Sequence, residues 1–92
     1  MAVIFDPEKR NRALADRGLD FVRCSEIFAG DCLTREDDRQ DYGEQRYITV
    51  GWLDDRMTIV VWTPRNGNER IISMRKANDR EQKFYGRRMA RH

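Results

Sequence analysis

Two stretches in the middle of the chain, residues 46–53 and 56–63, carry the clearest pattern of apolar and polar positions. The first alternates, and the second is rich in Val, Ile, Thr and Trp, as expected for half-buried strands. Asp54-Asp55 between them has the length of a two-residue hairpin turn. After the turn-rich residues 64–68, the adjacent β-branched pair Ile71-Ile72 predicts a third strand. The pattern therefore predicts an antiparallel meander.

Helix signals precede this predicted meander. Val3–Phe5 can form a short edge strand, and Asp6-Pro7 then supplies a capping carboxylate and a first-turn proline for a helix that ends at Gly18. Asp20 can cap a second helix. The spacing i, i+3, i+4, i+7 predicts that this second helix buries one face, which consists of Phe21, Cys24, Ser25 and Phe28.

A last helix is predicted over residues 78–89, where Asn78 and Glu81 form a capping pair. Residues 34–44 have no apolar periodicity and an excess of acidic side chains, which predicts an exposed acidic loop that can also lie against the basic end of the chain. The predicted fold class is α+β, a single domain over residues 1–92 with two N-terminal helices packed on the meander and a C-terminal helix after it.

The hairpin turn implies a register, because Leu53 then pairs with Arg56 and the ladder extends to Thr63. Side-chain alternation sorts the sheet into two faces. One face is apolar, has the cluster Arg46, Thr63 and Arg70 at its end, and is predicted to lie under the N-terminal helices; it holds Ile48, Val50, Trp52, Met57, Ile59, Val61, Ile72 and Met74. The other face mixes aromatic, hydroxyl and cationic groups: Tyr47, Thr49, Gly51, Thr58, Val60, Trp62, Ile71, Ser73 and Arg75.

Charge is distributed unevenly along the 92 residues, whose net charge is only +2. Eight basic and two acidic residues follow Glu69, so this end carries +6, while the first 69 residues carry −4. Fifteen of the 18 basic residues are Arg, whose planar guanidinium suits bidentate contacts with phosphate or carboxylate. The basic end is therefore either a solvated surface or a contact for a polyanion.

Other signals bound the class of protein. Cys24 and Cys32 form no CxxC pair, and His92 is the only histidine, so the sequence gives no support for a zinc site. Cys24 is expected to be a core thiol rather than a reactive one. No membrane span or export signal is evident, and reduced thiols favour the cytoplasm.

The order of motifs along nearly the whole chain resembles the BrnT family of bacterial type II toxins. The segments that carry the resemblance are Phe5-Asp6-Pro7 with Lys9, Gly18-Leu-Asp-Phe21 with Ile27-Phe28, Asp41-Tyr-Gly-Glu44 with Arg46, Val60-Val-Trp-Thr63, residues 70–77, Glu81 and Tyr85. The chain has Ala13 and Asp16-Arg17 where relatives commonly carry Asn and Lys-His, and Met74 where they carry Ala. Arg17 keeps a cation but lacks a group that titrates near neutral pH.

The resemblance implies a RelE-like ribonuclease fold and cleavage of RNA without metal or other cofactor. It also implies a BrnA-type antitoxin with a ribbon-helix-helix part, through which the complex contacts DNA and represses its operon. Attack of a ribose 2′-OH on the adjacent phosphate needs stabilisation of the charged phosphorane. Our hypothesis for the catalytic residues is that Arg46, Arg70, Arg75 and Lys76 bind and polarise the phosphate, with Thr63 orienting an arginine.

Four further residues are candidates for RNA binding. Tyr47 and Trp62 can stack on bases while Arg75 holds phosphate, and Arg80 and Lys83 add charge on the last helix. Alternatively, the last helix covers the Tyr47 face, and Arg46, Thr63 and Arg70 form a polar cluster that closes the end of the core. A function of another class also fits: a noncatalytic module that binds nucleic acid or an acidic protein through the basic end.

Overall fold

The computed structural model describes residues 2–89. Its strands and helices follow in the order β1 (Val3–Phe5), α1 (Pro7–Arg17), a 3₁₀ turn (Phe21–Arg23), α2 (Cys24–Ala29), β2 (Cys32–Glu36), β3 (Tyr47–Leu53), β4 (Arg56–Arg65), β5 (Asn68–Lys76) and α3 (Asp79–Gly86). The predicted α+β class is confirmed. None of the helices in this part of the chain is long and apolar enough to cross a membrane.

The five strands form one sheet in the order β1-β5-β4-β3-β2. The predicted meander is confirmed, since Leu53 pairs with Arg56 and Thr63 with Arg70. Both hairpin turns have the positive φ angles of tight two-residue turns, at Asp54-Asp55 and at Asn66-Gly67. The sequence predicted a loop over residues 64–68, but the turn is only Asn66-Gly67. β4 and β5 therefore extend into the predicted loop from both sides. β1 lies at the sheet edge, as predicted, and runs parallel to β5.

The predicted helix starts are also confirmed. The Asp6 carboxylate accepts from the Glu8 amide, the Asp20 carboxylate accepts from the Val22 amide, and Asn78 caps α3. Phe21 and Cys24 are buried as predicted, but Ser25 is exposed, and Ile27 takes its place in the core. The reason is that the second helix begins as a 3₁₀ turn, which rotates the positions after it relative to one continuous α-helix.

The N-terminal helices cover the face of the sheet opposite to the one predicted. Residues from α1, the 3₁₀ turn and α2 form one core with Leu53, Val60, Ile71 and Met74. We call this side the N-terminal face. The physical reason lies in side-chain size: Gly51, on this face, lets α2 approach so closely that an added Cβ would lie 2.6 Å from Ile27 Cγ2. Large apolar side chains on the other face do not allow that approach.

The other side of the sheet, which we call the C-terminal face, carries α3, so the alternative in which the last helix covers the Tyr47 face is wrong. Tyr85 and Met89 pack there on a second core, which includes Ile48, Val50, Met57, Ile59 and Val61. This is the apolar face that the sequence pattern assigned to the N-terminal helices. The sheet is thus sandwiched between helices, which accounts for the small number of exposed large apolar residues: Leu14, Val22, Leu33 and Phe84.

A β-bulge at Ile72 alters the predicted faces of β5. Val61 pairs with Ser73 and Trp62 pairs with Ile71, so Ile72 is an extra residue in the ladder. The prediction that the side chains of β5 alternate regularly between the two faces is therefore wrong for the residues after Ile72. Arg75 moves to the C-terminal face, whereas Met74 moves to the N-terminal face.

β2 replaces part of the predicted acidic loop. Cys32–Glu36 pairs antiparallel with β3 and forms an exposed edge strand. An edge strand needs few buried side chains, so the charged residues in this stretch do not prevent pairing. Residues 37–46 form the remaining loop, which is closed by a 2.8 Å hydrogen bond from the Asp37 amide to the Arg46 carbonyl.

The close approach at Gly51 gives a stability prediction. We expect Gly51→Ala to lower the free energy of unfolding by about 1–3 kcal/mol, because the buried, β-branched Ile27 has little room to move. Gly86→Ala is the control, since a Cβ there meets nothing within 4 Å, and it is expected to be neutral or stabilising by up to about 1 kcal/mol. Urea unfolding measures both. Equal midpoints for the parent and Gly51→Ala would contradict tight packing of α2.

Candidate functional site

A cavity of about 160 Å³ opens on the C-terminal face between β2, β5 and α3. We call it the arginine cavity, because three guanidinium groups line it. Its apolar floor comes from β3 and β4. The lining residues are Arg35, Arg39, Ile48, Ile59, Val61, Ser73, Arg75, Glu81 and Tyr85.

Arg75 projects into this cavity from β5 and forms a bidentate ion pair with Glu81. The two N···O distances are 2.7 and 2.8 Å. Glu81 also accepts from the Asn78 amide at 2.9 Å, while the Asn78 side chain accepts from the Glu81 amide, so the same carboxylate completes the capping box of α3. The Arg75 guanidinium lowers the pKa of Glu81 to about 2. Glu81 is therefore a carboxylate at neutral pH and fixes the orientation of Arg75.

Arg39 enters the cavity from the loop 37–46 and is oriented in a similar way. Its guanidinium donates twice to the Asp37 carboxylate, at 2.7 Å each. The Asp37 side chain is fully inaccessible, and Arg39 lowers its pKa to about 2. Arg39 and Arg75 repel each other, since the charge of Arg39 lowers the pKa of Arg75, against the larger opposite effect of Glu81. Arg39 and Arg75 can lie near each other in the cavity because Asp37 pairs with the first and Glu81 with the second.

Arg35 and Tyr85 complete the polar wall of the cavity. Arg35 lies opposite Ile48 in the β2–β3 ladder, and its Nε donates to the Tyr85 hydroxyl at 3.3 Å. Among residues 2–89, no carboxylate forms an ion pair with Arg35. Tyr85 is buried and accepts this bond, so its own hydrogen remains available to a group in the cavity. The arrangement can bind an anion and donate a proton to it.

The predicted cluster of Arg46, Thr63 and Arg70 lies apart from this cavity. Thr63 is buried and donates to the Gln45 carbonyl at 2.7 Å. Arg46 pairs with Glu44 and lies over the Tyr42 ring. Arg70 lies opposite Thr63 on the C-terminal face, and its guanidinium has no hydrogen bond or ion pair within residues 2–89. Arg70 is therefore the one residue of this cluster that lies on the same face as Arg75 and whose side chain is not already bonded to another described residue.

Tyr47 and Trp62 stack on each other on the N-terminal face, with ring centroids 5.0 Å apart. Trp62 also donates to Thr49 Oγ1 at 2.8 Å and packs edge-on against Phe28 of α2. The bulge separates both rings from Arg75, so the structure does not bring these three together. Lys76 lies opposite Thr58 on the N-terminal face and is exposed. Arg80 and Lys83 are exposed on α3.

Four cavity residues with ionisable side chains were missing from the predicted site: Arg35, Arg39, Glu81 and Tyr85. Glu81 was predicted only as part of the cap of the last helix. Arg35 and Arg39 lie in the stretch interpreted as an acidic loop. The available signal for Arg35 was the β-prone pair Leu33-Thr34 before it. Tyr85 anchors the last helix in the second core, and its hydroxyl also reaches the cavity.

The cysteines take no part in the site. Both are free thiols, and burial raises the pKa of Cys24 to about 12, as expected for the predicted core thiol. Within residues 2–89, no three His, Cys, Asp or Glu side chains come together as metal ligands would. His92 and Arg91 lie outside the described residues.

Residues 5–81 match the family model described as "Ribonuclease toxin, BrnT, of type II toxin-antitoxin system". The match begins in β1 and ends in the first turn of α3, so it includes Arg35, Arg39, Arg75 and Glu81. A search of curated proteins found no match.

The Arg75–Glu81 pair gives a pH prediction. Because the pKa of Glu81 is about 2 in the folded protein, against an ordinary 4.5, the pair stabilises the fold above pH 4.5, and this contribution is lost as the pH falls toward 2. We expect Glu81→Gln to lower the free energy of unfolding by about 1 kcal/mol or less at pH 6, since Arg75 is partly exposed. The difference from the parent should vanish near pH 2.

Asp79→Asn is the matched control, since it removes a carboxylate from the same helical turn and leaves Arg75 paired. Chemical unfolding of the three proteins between pH 2 and 6 measures the effect. A parent-to-Glu81→Gln difference that stays constant over this range would show that the ion pair adds no stability.

Proposed function

We propose a reaction and a site for this chain, which belongs to the family of BrnT ribonuclease toxins of type II toxin–antitoxin systems. The chain is an endoribonuclease that cleaves RNA in the arginine cavity, in the cytoplasm of a bacterium. The observation that carries the proposal is the convergence of Arg35, Arg39 and Arg75 on a space that also holds the Tyr85 hydroxyl.

The proposed step is attack of a ribose 2′-oxygen on the adjacent phosphorus. A bond forms between O2′ and phosphorus, and the bond from phosphorus to O5′ breaks. The 2′-oxygen gives its proton to solvent water, and the 5′-oxygen gains one from the protein. The products are a 2′,3′-cyclic phosphate and a 5′-hydroxyl. Charge builds up on the phosphorane oxygens, and guanidinium groups fixed in advance stabilise it without having to reorganise. Arg75 and Arg39, each held by a carboxylate, meet this requirement.

Tyr85 is the proposed proton donor to the leaving 5′-oxygen. Its hydroxyl accepts from Arg35, so its hydrogen is directed elsewhere, and the nearby guanidinium stabilises the charge left on the phenolic oxygen. Glu81 is a positioning residue, because it acts through Arg75. Arg70, uncommitted on the same face of the sheet, is a proposed contact for the RNA backbone.

We expect Arg75→Ala to reduce RNA cleavage by about 100- to 1,000-fold, as for loss of one preorganised group that stabilises an oxyanion. Tyr85→Phe should cost about 100-fold while keeping the apolar packing of the ring. Arg56→Ala is the matched control, since Arg56 is an exposed arginine in β4 that does not line the cavity. Gel analysis of labelled RNA incubated with pure protein and chelator measures the rates.

Two results would count against this proposal. Folded Arg75→Ala protein that cleaves at the parental rate would remove Arg75 from the site. RNA that stays intact with the parent, but is bound in a strongly salt-dependent way, would favour the noncatalytic binding module.

The family implies a protein antitoxin as partner, and we propose that it is of the BrnA type, with a ribbon-helix-helix part. Its expected contact is the arginine cavity, because an acidic segment there would neutralise Arg35 and exclude RNA at once. Arg75 and Lys76 are adjacent in sequence but lie on opposite faces of the sheet, which makes them a matched pair for testing this contact.

Arg75→Glu should weaken binding of the antitoxin by at least about tenfold, whereas Lys76→Glu should leave it within about twofold. Calorimetric titration of purified antitoxin into each variant measures the two affinities. Equal affinities would place the antitoxin elsewhere, and a larger effect of Lys76→Glu would place it on the N-terminal face.

A further inference from the structure

A second basic depression lies on the other side of β5 from the arginine cavity. β1 pairs with β5 only as far as Ile71, so the edge of β5 beyond that residue has no neighbouring strand. α1 lies beside this open edge, and Arg17 Nη1 donates to the Met74 carbonyl at 2.9 Å. Between helix and strand remains a groove of about 300 Å³, which we call the α1 groove.

The α1 groove combines an apolar floor with a cationic rim. Ala13, Phe21 and Ile72 line its floor, and the exposed side chains of Lys9 and Arg12 stand along one side of the helix. Neither the Lys9 nor the Arg12 side chain has a hydrogen bond or ion pair within residues 2–89, in contrast to that of Arg10, which pairs with Asp20 on another side of α1. Such a groove offers the two features that single-stranded nucleic acid needs: a surface for bases and free cations for phosphates.

Ser73 connects the two depressions. It lines the arginine cavity together with Arg75, and it also lines the α1 groove together with Ile72. Ser73 can line both depressions because it follows the bulge and lies beyond the end of β1. A neighbouring strand on that edge of β5 would separate the arginine cavity from the α1 groove. A chain that occupies the arginine cavity can therefore pass over Ser73 into the α1 groove without crossing the core.

We infer that the α1 groove is the binding track for RNA that flanks the cleaved bond, with Lys9 and Arg12 binding its phosphates and a base resting on the apolar floor. The inference rests on the proposed cleavage in the arginine cavity. Asp16 is the one carboxylate among the described residues that line the groove, so the rim keeps a net positive charge. RNA long enough to extend past Ser73 gains these contacts, whereas a dinucleotide does not.

The test compares the double variant Lys9→Ala/Arg12→Ala with a control, Arg56→Ala/Arg87→Ala, that removes two exposed cations lining neither depression. Two substrates are used: a single-stranded 12-nucleotide RNA and a dinucleotide. We expect the groove variant to lose about 10- to 100-fold in kcat/KM on the 12-nucleotide RNA and to stay within about twofold of the parent on the dinucleotide. The control should stay near the parent on both.

Binding separates this inference from the proposed reaction. Fluorescence anisotropy with a fully 2′-O-methylated 12-nucleotide RNA, which cannot be cleaved by 2′-OH attack, measures affinity whether or not the parent is active. Loss of two phosphate contacts should reduce the slope of log K against log salt by about 1.4 in the groove variant. The control should keep the parental slope within about half of that change.

Parental affinity and slope in the groove variant would overturn the track, even if the parent cleaves RNA normally. Equal losses of kcat/KM on the dinucleotide and on the 12-nucleotide RNA would also overturn it, because Lys9 and Arg12 would then act at the reacting phosphate or on the fold. Normal RNA binding together with lost antitoxin binding would assign the groove to the protein partner instead. An inactive parent would count against the proposed reaction, and the binding data would still decide on the groove.

Discussion

One extra residue in β5 decides which side chains of that strand share a face. In a regular strand, residues five positions apart point to opposite sides of the sheet, so Arg70 and Arg75 would be separated. The bulge at Ile72 shifts the alternation by one position and brings both arginines, with Ser73, to the C-terminal face. It also turns Met74 into the opposite core, where Met74 Sδ lies 3.8 Å from Cys24 Sγ. The core beneath α2 and the arginine cavity therefore depend on the same irregularity.

The ion pair between Arg75 and Glu81 links this strand to the helix that follows. Only Ala77 and Asn78 separate β5 from α3, and Glu81 serves both as the third helical residue of the capping box and as the partner of Arg75. The ion pair partly neutralises the positive charge of Arg75. It also lowers the entropic cost of binding an anion, because the side chain is already ordered before the anion arrives. A phosphate that enters the cavity meets oriented donors and the further charge of Arg35, which pairs with no carboxylate in the described chain. Arg75 thus supplies hydrogen-bond donors in a fixed orientation, and Arg35 supplies a positive charge that no carboxylate of the described chain neutralises.

The features that the sequence predicted well are those set by neighbouring residues. The two hairpins, the caps at Asp6, Asp20 and Asn78, and the register through Thr63 follow from short-range rules of turn and cap chemistry. The bulge has no such rule here, because Ile71 and Ile72 are both β-branched and either one suits either face. The N-terminal helices cover the face that contains Gly51, because its small size allows α2 to approach the sheet. The sequence prediction compared only the number of apolar side chains on each face and therefore missed this effect. Arg75, which lines the arginine cavity, was already a candidate from the sequence, since it belongs to the basic end of the chain.

Arg35 and Arg39 could not be predicted to join Arg75, because their position depends on two tertiary features. β2 must pair with β3 to bring Arg35 beside Ile48, and the buried Asp37 must hold Arg39 in place. Arg17, which stands where relatives commonly carry His, has its guanidinium engaged outside the arginine cavity. Its guanidinium binds the Met74 carbonyl, between Ser73 and Arg75, and so steadies β5 where the two depressions meet. Position 17 therefore serves the strand edge in this chain, and a proton for the proposed reaction has to come from a group inside the cavity, for which Tyr85 has the required hydroxyl.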